Sequence, residues 1–163
     1  LHAARLRHES VNRLYMAAFG PILRSHEADA LPGAFWFILG CAAALLLYPA
    51  PIASLAFLHL GFGDPAASLF GVLYGHRCGR VSDGKSVAGL VAAVAVCTVV
   101  TAAYGGWALS WGDDLGPIGF FVISCFIGIA GAVAESIELG VDDNLSIPVL
   151  AGAFSWAVVA GAA

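Results

Sequence analysis

The chain has 163 residues, 60% hydrophobic and 11% charged, with seven Lys and Arg against eleven Asp and Glu for a formal net charge of −4; its mean hydropathy is +0.89. A soluble domain carries about 25% charged residues, so a soluble enzyme is excluded, and the high apolar content excludes a disordered chain. Nucleic-acid binding needs a basic footprint that this acidic chain lacks. What is left is an all-α polytopic membrane protein, with room for about five helices at about 20 apolar residues per crossing.

In chain order, residue 1 is Leu, so a form truncated or processed at the N-terminus is expected. Residues 1–30 are predicted to form an interfacial helix: Arg5, Arg7, Arg13 and Arg24 interrupt every apolar run, which fits neither a crossing nor a signal peptide. The rest is a single membrane-embedded unit, with crossings expected at about 31–48, 52–74, 86–109, 117–139 and 147–162. Pro49 and Pro51 mark a tight turn between the first two. The second crossing carries Gly61, Gly63, Asp64 and Pro65 in its middle, so this helix is predicted to be broken near Asp64. Trp36, Trp107, Trp111 and Trp156 suit interfacial belts. Cys41, Cys78, Cys97 and Cys125 have no Cys-x-x-Cys spacing and read as inert thiols. His59 reads as a core histidine and His76 as a loop residue.

All seven basic residues fall in two places, before the first crossing and at Arg77, Arg80 and Lys85. Two crossings separate them, so the positive-inside rule puts both in the cytoplasm. The acidic stretch 135–143 then lies on the same side, and a site for a charged substrate is expected to face the cytoplasm.

Three segments carry candidate chemistry. In the first, Asp64-Pro65 has the form of a helix start, with Asp capping and Pro in the first position, followed by Ala66, Ala67 and Ser68. Such a start aims free N–H groups at an anion. A carboxylate at that depth costs about 2.5–3.5 kcal/mol on insertion scales, so a metal or protein partner is expected; the plainer alternative is a simple cap on a kinked helix. The second, Gly79-Arg-Val-Ser-Asp-Gly84-Lys85-Ser86, matches G-x-x-x-x-G-K-[ST]. A P-loop fold needs a preceding strand in a βαβ unit, which a membrane helix excludes, but Gly84, Lys85 and the helix start at Ser86 keep the local phosphate-binding chemistry. The alternative is a basic anchor loop. In the third, Glu135, Glu138 and Asp142 share one face if the helix continues through Gly140, with Asp143 and Asn144 following. These hard oxygen donors suit Mg2+ or Ca2+; otherwise they form a solvated helix end.

Together the segments resemble a known family, the CTP-dependent lipid-alcohol kinases that act on dolichol and other polyprenols, on phytol and farnesol, or, in the yeast type, on diacylglycerol. The matching stretches are Leu23-Arg24-Ser-His26-Glu27, Leu31-Pro-Gly33-Ala, Phe62-Gly63-Asp64-Pro-Ala-Ala67-Ser68-Leu-Phe-Gly71 with Tyr74-Gly75, Gly84-Lys85-Ser86-Val-Ala-Gly89, Ala134-Glu135 and Asp142-Asp143-Asn144-Leu-Ser-Ile-Pro148. They cover about residues 5–150 in the family's order. The family usually carries an Arg-Lys pair on an earlier helix; no Arg-Lys pair occurs in this sequence, so either the start is missing or Arg5 and Arg7 stand in for it.

The resemblance implies transfer of the γ-phosphate of CTP to a membrane lipid alcohol. Asp64, Lys85 and Glu27 become candidate catalytic residues, with Asp64 and Glu27 as alternative bases. Arg24, Gly63, Ser68, Gly71, Arg77, Arg80, Gly84, Lys85 and Ser86 become nucleotide- or phosphate-binding candidates. Asp64, Glu135, Asp142, Asp143 and Asn144 become candidate ligands for Mg2+ or Ca2+. The partners implied are the lipid alcohol, CTP and the bilayer, with no nucleic acid and with homo-oligomerisation left open. Two other readings are a CDP-diacylglycerol synthase-like cytidylyltransferase and an ion-binding transporter or membrane scaffold.

Overall fold

The computed structural model describes residues 7–19, 31–82, 84–109, 111–137 and 139–162. Helix α1 spans Glu9–Phe19, and an Arg13–Glu9 pair at 3.2 Å ties successive turns on its exposed face. Residues 1–6 and 20–30 of the interfacial segment predicted over 1–30 lie outside the described residues. Helix α2 spans Gly33–Leu47. Helix α3 (Ala50–Leu58), a π turn (His59–Gly63), helix α4 (Asp64–Tyr74) and a 3-10 turn (Gly75–Arg77) then follow as one continuous rod. A short hairpin of β1 (Arg80–Ser82) and β2 (Lys85–Ser86) leads into α5 (Val87–Ala108), α6 (Trp111–Ser136) and α7 (Asp143–Ala162).

Four segments are long and apolar enough to cross a bilayer: Ala50–Arg77, Val87–Ala108, Asp113–Ser136 and Asp143–Gly161. Helix α2 is apolar but has only 15 residues, about 22 Å at 1.5 Å per residue against a hydrocarbon core of about 30 Å. The surface is as apolar as a bilayer requires: Leu46, Val72 and Ile118 are each more than four-fifths exposed. The interior is small instead. One cluster joins Ala67, Ala93 and Ala132, another Ala56, Ala134 and Ala151. Lipid gives helices no hydrophobic reason to associate, so they hold together by close backbone approach over small residues. Gly128 of α6 lies against Thr98 of α5, and Gly40 of α2 against the Asn144 carbonyl at the start of α7. The larger side chains Ile52, Leu55, Ile123 and Ile127 fill the end of the bundle remote from the hairpin.

Two predicted features take a different form. The irregularity near Asp64 is a π turn, not a capped helix start. Gly63 and Asp64 both keep right-handed helical backbone angles, and no side chain caps the segment. Pro65 removes one N–H and crowds the preceding turn; the wider π turn absorbs this without ending the helix. The second concerns α6, which stops at Ser136 and does not run on through Gly140, whose φ is +73°. Glu135 and Asp142 therefore do not share a helix face, and Glu138 lies outside the described residues. Chain reversal at Gly140 starts α7 at Asp143, four residues before the crossing predicted at 147. The crossing predicted from 117 begins where Gly116 and Pro117 kink the Trp111–Ser136 helix.

Candidate active site

The G-x-x-x-x-G-K-[ST] stretch folds as the β1–β2 hairpin, antiparallel with Arg80 paired to Ser86 and Ser82 to Lys85. Gly84 sits at its tip with φ +91°, a conformation that costs glycine little and a residue with a Cβ much more. The hairpin delivers Ser86 as the N-cap of α5, where its hydroxyl accepts from the Gly89 N–H at 3.1 Å. The Ser86 side chain also rests on α4, so that a Cβ at Gly71 or Gly75 would approach its Oγ to 3.3 or 3.0 Å. A Cβ at Gly89 would come within 2.7 Å of the Ala67 carbonyl. Ala67, Gly71 and Gly75, four residues apart, form the stripe on which the start of α5 is seated.

Lys85 leaves the hairpin toward the end of α6. Its Nζ lies 3.3 Å from Glu135 Oε1 and 3.6 Å from Asp143 Oδ2, and it donates to the Glu135 carbonyl. That carbonyl belongs to the last turn of α6, where unpaired C=O groups and the negative end of the helix dipole favour a cation. The Lys85 and Glu135 side chains are only 17% and 11% exposed, while Asp143 is 46% exposed. Asp64 and Asp143 both act on Glu135 as repulsive neighbours. One ammonium thus pairs with carboxylates from α6 and α7, and Asp64 of α4 lines the same cleft.

These groups line a cleft of about 670 Å³. Asp64, Ser68 and Gly71 form its α4 wall, Arg80, Gly84, Lys85 and Ser86 its hairpin wall, and Glu135 and Asp143 its far end. A smaller recess of about 370 Å³ continues from it, bounded by Asp64, Ser68, Val141, Asp142, Asp143 and Asn144. There Asp142 caps α7. Its carboxylate accepts from the Asn144 backbone N–H at 3.0 Å and side-chain amide at 2.9 Å, and its carbonyl from the Leu145 and Ser146 N–H groups. The recess offers carboxylate and amide oxygens, the donor types of a hard divalent cation. Among the described residues no three His, Cys, Asp or Glu side chains converge into a ready-made metal cage.

The curated relatives carry the same name. The CTP-dependent diacylglycerol kinase 1 of Eremothecium gossypii is 30% identical over 173 residues, covering 98% of this chain and 55% of its own length. Its namesake from Saccharomyces cerevisiae is 28% identical over 172 residues, covering 98% and 59%. The one from Schizosaccharomyces pombe is 29% identical over 159 residues, covering 95% and 73%. The chain is thus similar over nearly its whole length to three proteins named as CTP-dependent diacylglycerol kinases. It spans little more than half the length of the first two relatives. No family model and no solved structure matches it.

Nine of the site residues expected from sequence meet at the main cleft: Asp64, Ser68, Gly71, Arg80, Gly84, Lys85, Ser86, Glu135 and Asp143. Asp142 and Asn144 border only the recess. Gly63 does not line either space. It faces α5, where a Cβ would come within 2.6 Å of Cys97 Sγ, so its smallness serves helix packing rather than phosphate binding. Arg77 is also outside both; its Nε donates to His76 Nε2 at 3.2 Å on the exposed face. Arg24 and Glu27 lie outside the described residues. His76 and Cys78, read from sequence as a loop residue and an inert thiol, line the cleft, and Cys78 is exposed. The signal for this flank was the four-residue spacing of Ala67, Gly71 and Gly75, which leads straight into His76.

Proposed function

We propose that the chain transfers the γ-phosphate of CTP to the hydroxyl of a diacylglycerol-type membrane lipid, releasing CDP and a lipid monophosphate. The observation that carries this is the Lys85 ammonium held at the start of α5 and the end of α6, opposite Asp64, in a cleft that the hairpin closes on one side. The names of the relatives support CTP as donor and diacylglycerol as acceptor. The cleft is large enough for a nucleotide's phosphates, and Val72, four-fifths exposed on α4, makes its rim continuous with the lipid-facing surface.

Phosphoryl transfer requires charge neutralisation on three equatorial oxygens and in-line placement of attacking and leaving oxygens. Lys85 supplies a point charge to the phosphates, with Arg80 at the cleft mouth. The cap at Ser86 and the turn at Gly84 let the backbone approach them. Mg2+ usually takes one or two carboxylates and completes its shell with substrate phosphates. Asp64 with Asp143, aided by Glu135 or by Asp142 and Asn144, fits that donor set, and the ion would offset negative charge on the transferring group. The attacking lipid oxygen loses its proton to a carboxylate, Asp64 or Glu27, as the bond between the γ-phosphorus and the CDP oxygen breaks. The cleft faces the cytoplasm in this reading, because the hairpin carries Arg80 and Lys85 and the opposite connection carries Asp113 and Asp114.

Purified protein in nanodiscs, given CTP labelled in either the γ- or the α-phosphate, tests the proposal by thin-layer analysis. The kinase reading predicts γ-label in the lipid product and no α-label. Incorporation of α-label identifies a cytidylyltransferase, and no incorporation a transporter or scaffold. Polyprenol or phytol outcompeting diacylglycerol as acceptor would overturn the lipid assignment.

A further inference from the structure

His59 is buried, 2% exposed, at the first position of the π turn, and lines neither the cleft nor the recess. Its Nε2 shares a 2.9 Å hydrogen bond with Thr101 Oγ1 of α5. Its ring lies over Gly131 of α6, where a Cβ would meet Cγ and Cε1 at 2.8 and 2.9 Å and Nδ1 more closely still. Nδ1 has no hydrogen-bond partner among the described residues. A buried polar ring without full compensation is costly, so mere filling of this space would favour Phe or Leu. The ring is held from two sides, by one bond and one close contact.

Both contacts are in register with the site. On α5, Thr101 is one turn from Cys97, which meets Gly63, and Cys97 one turn from Ala93, which packs with Ala67. On α6, Gly131 is one turn from Glu135. In the rod between them, the π turn that opens with His59 closes at Gly63, directly before Asp64. Residues five apart in a regular α-helix are turned about 140° from each other, whereas i→i+5 bonding brings them toward one face. The side on which His59 meets α5 and α6 is thereby passed on to Asp64.

We propose that His59 is a positioning residue of the site: its bond to Thr101 and its seat on Gly131 fix the phase of the π turn, and with it the placement of Asp64 opposite Glu135. The activity readout of this inference rests on the phosphoryl-transfer reading; a second readout does not. The test uses Thr101→Val, His59→Phe, the double variant and His59→Gln, purified in nanodiscs and checked for folding. In each, kcat, the KM for lipid and the affinity for Mn2+ alone, followed by electron paramagnetic resonance, are measured. Thr101→Val and His59→Phe should each lower kcat about tenfold or more, the scale of a small misplacement. Each should weaken Mn2+ binding while leaving the KM for lipid unchanged. The double variant should be no worse than either single one, because both break one bond, and His59→Gln should recover part of the loss. Folded variants with wild-type kcat and Mn2+ affinity, or additive losses in the double variant, overturn the proposal. Should the wild type transfer no phosphate from CTP, the functional reading falls, and the Mn2+ affinities decide the role of His59 alone: a shared loss upholds it, unchanged affinities overturn it. Thr101→Val decides the case in which His59→Phe does not fold.

Discussion

Lys85 joins the two halves of the site, and its environment sets what its loss does. It is the counter-charge of a largely buried Glu135 and touches Asp143 as well. Removing one member of such a pair leaves the other uncompensated. Lys85→Ala should therefore lower both thermal stability and kcat/KM for CTP, the latter about 10²-fold, as for loss of one main electrostatic contributor. Adding Glu135→Gln to Lys85→Ala should restore the stability and not the activity. Activity that returns with stability would mean that Lys85 only anchors the hairpin. Lys85→Arg keeps the charge but replaces a point ammonium with a planar fork, and should retain intermediate activity. Asp64 and Lys85 were legible in the sequence because ionisable groups beside apolar runs need a reason to be there. The cap expected at Asp64 does not form; Asp-Pro after glycine looks the same in sequence whether the helix starts or passes through a π turn. Only the backbone angles of Gly63 and Asp64 distinguish the two.

At the scale of elements, the site depends on how closely α4 and α5 approach. Gly89→Ala places a methyl 2.7 Å from the Ala67 carbonyl, a backbone atom that cannot turn aside. The expected cost is about 1–3 kcal/mol of overpacking, seen as a lower unfolding midpoint, with loss of activity in the fraction that stays folded. Gly61→Ala is the contrasting case, with nothing within 4 Å of the added Cβ and no positive φ; it should be neutral or stabilising by about 0.4–1 kcal/mol. Equal effects of the two substitutions would contradict the packing account. The number and order of the apolar helices were readable from composition and from the placement of Pro and Gly. The hairpin was not, because two short strands leave no periodic signal. The end of α6 at Ser136 was hidden too: Glu135, Glu138 and Asp142 keep helical spacing although the chain turns at Gly140.

At the scale of the whole molecule, the fold is turned inside out relative to a soluble protein, with small residues packed inside and Leu46, Val72 and Ile118 facing out. Its ends differ in charge, and this difference predicts the orientation. In sealed right-side-out vesicles, an impermeant thiol reagent should label single cysteines engineered into 112–115 and leave those in 79–82 unlabelled, in a background lacking the four native cysteines. Labelling of the hairpin from outside would reverse the orientation. The most direct test of the central claim, that the charged cleft transfers phosphate, is CTP-dependent phosphorylation of diacylglycerol by Asp64→Asn beside the wild type in the same nanodiscs. Asn keeps the size and hydrogen-bonding capacity of Asp64 but not the charge that a hard cation requires. Asp64→Asn should fold normally and lose at least about 10²-fold in turnover. A folded Asp64→Asn protein that keeps more than about a tenth of wild-type turnover, against that expected loss, would contradict the claim.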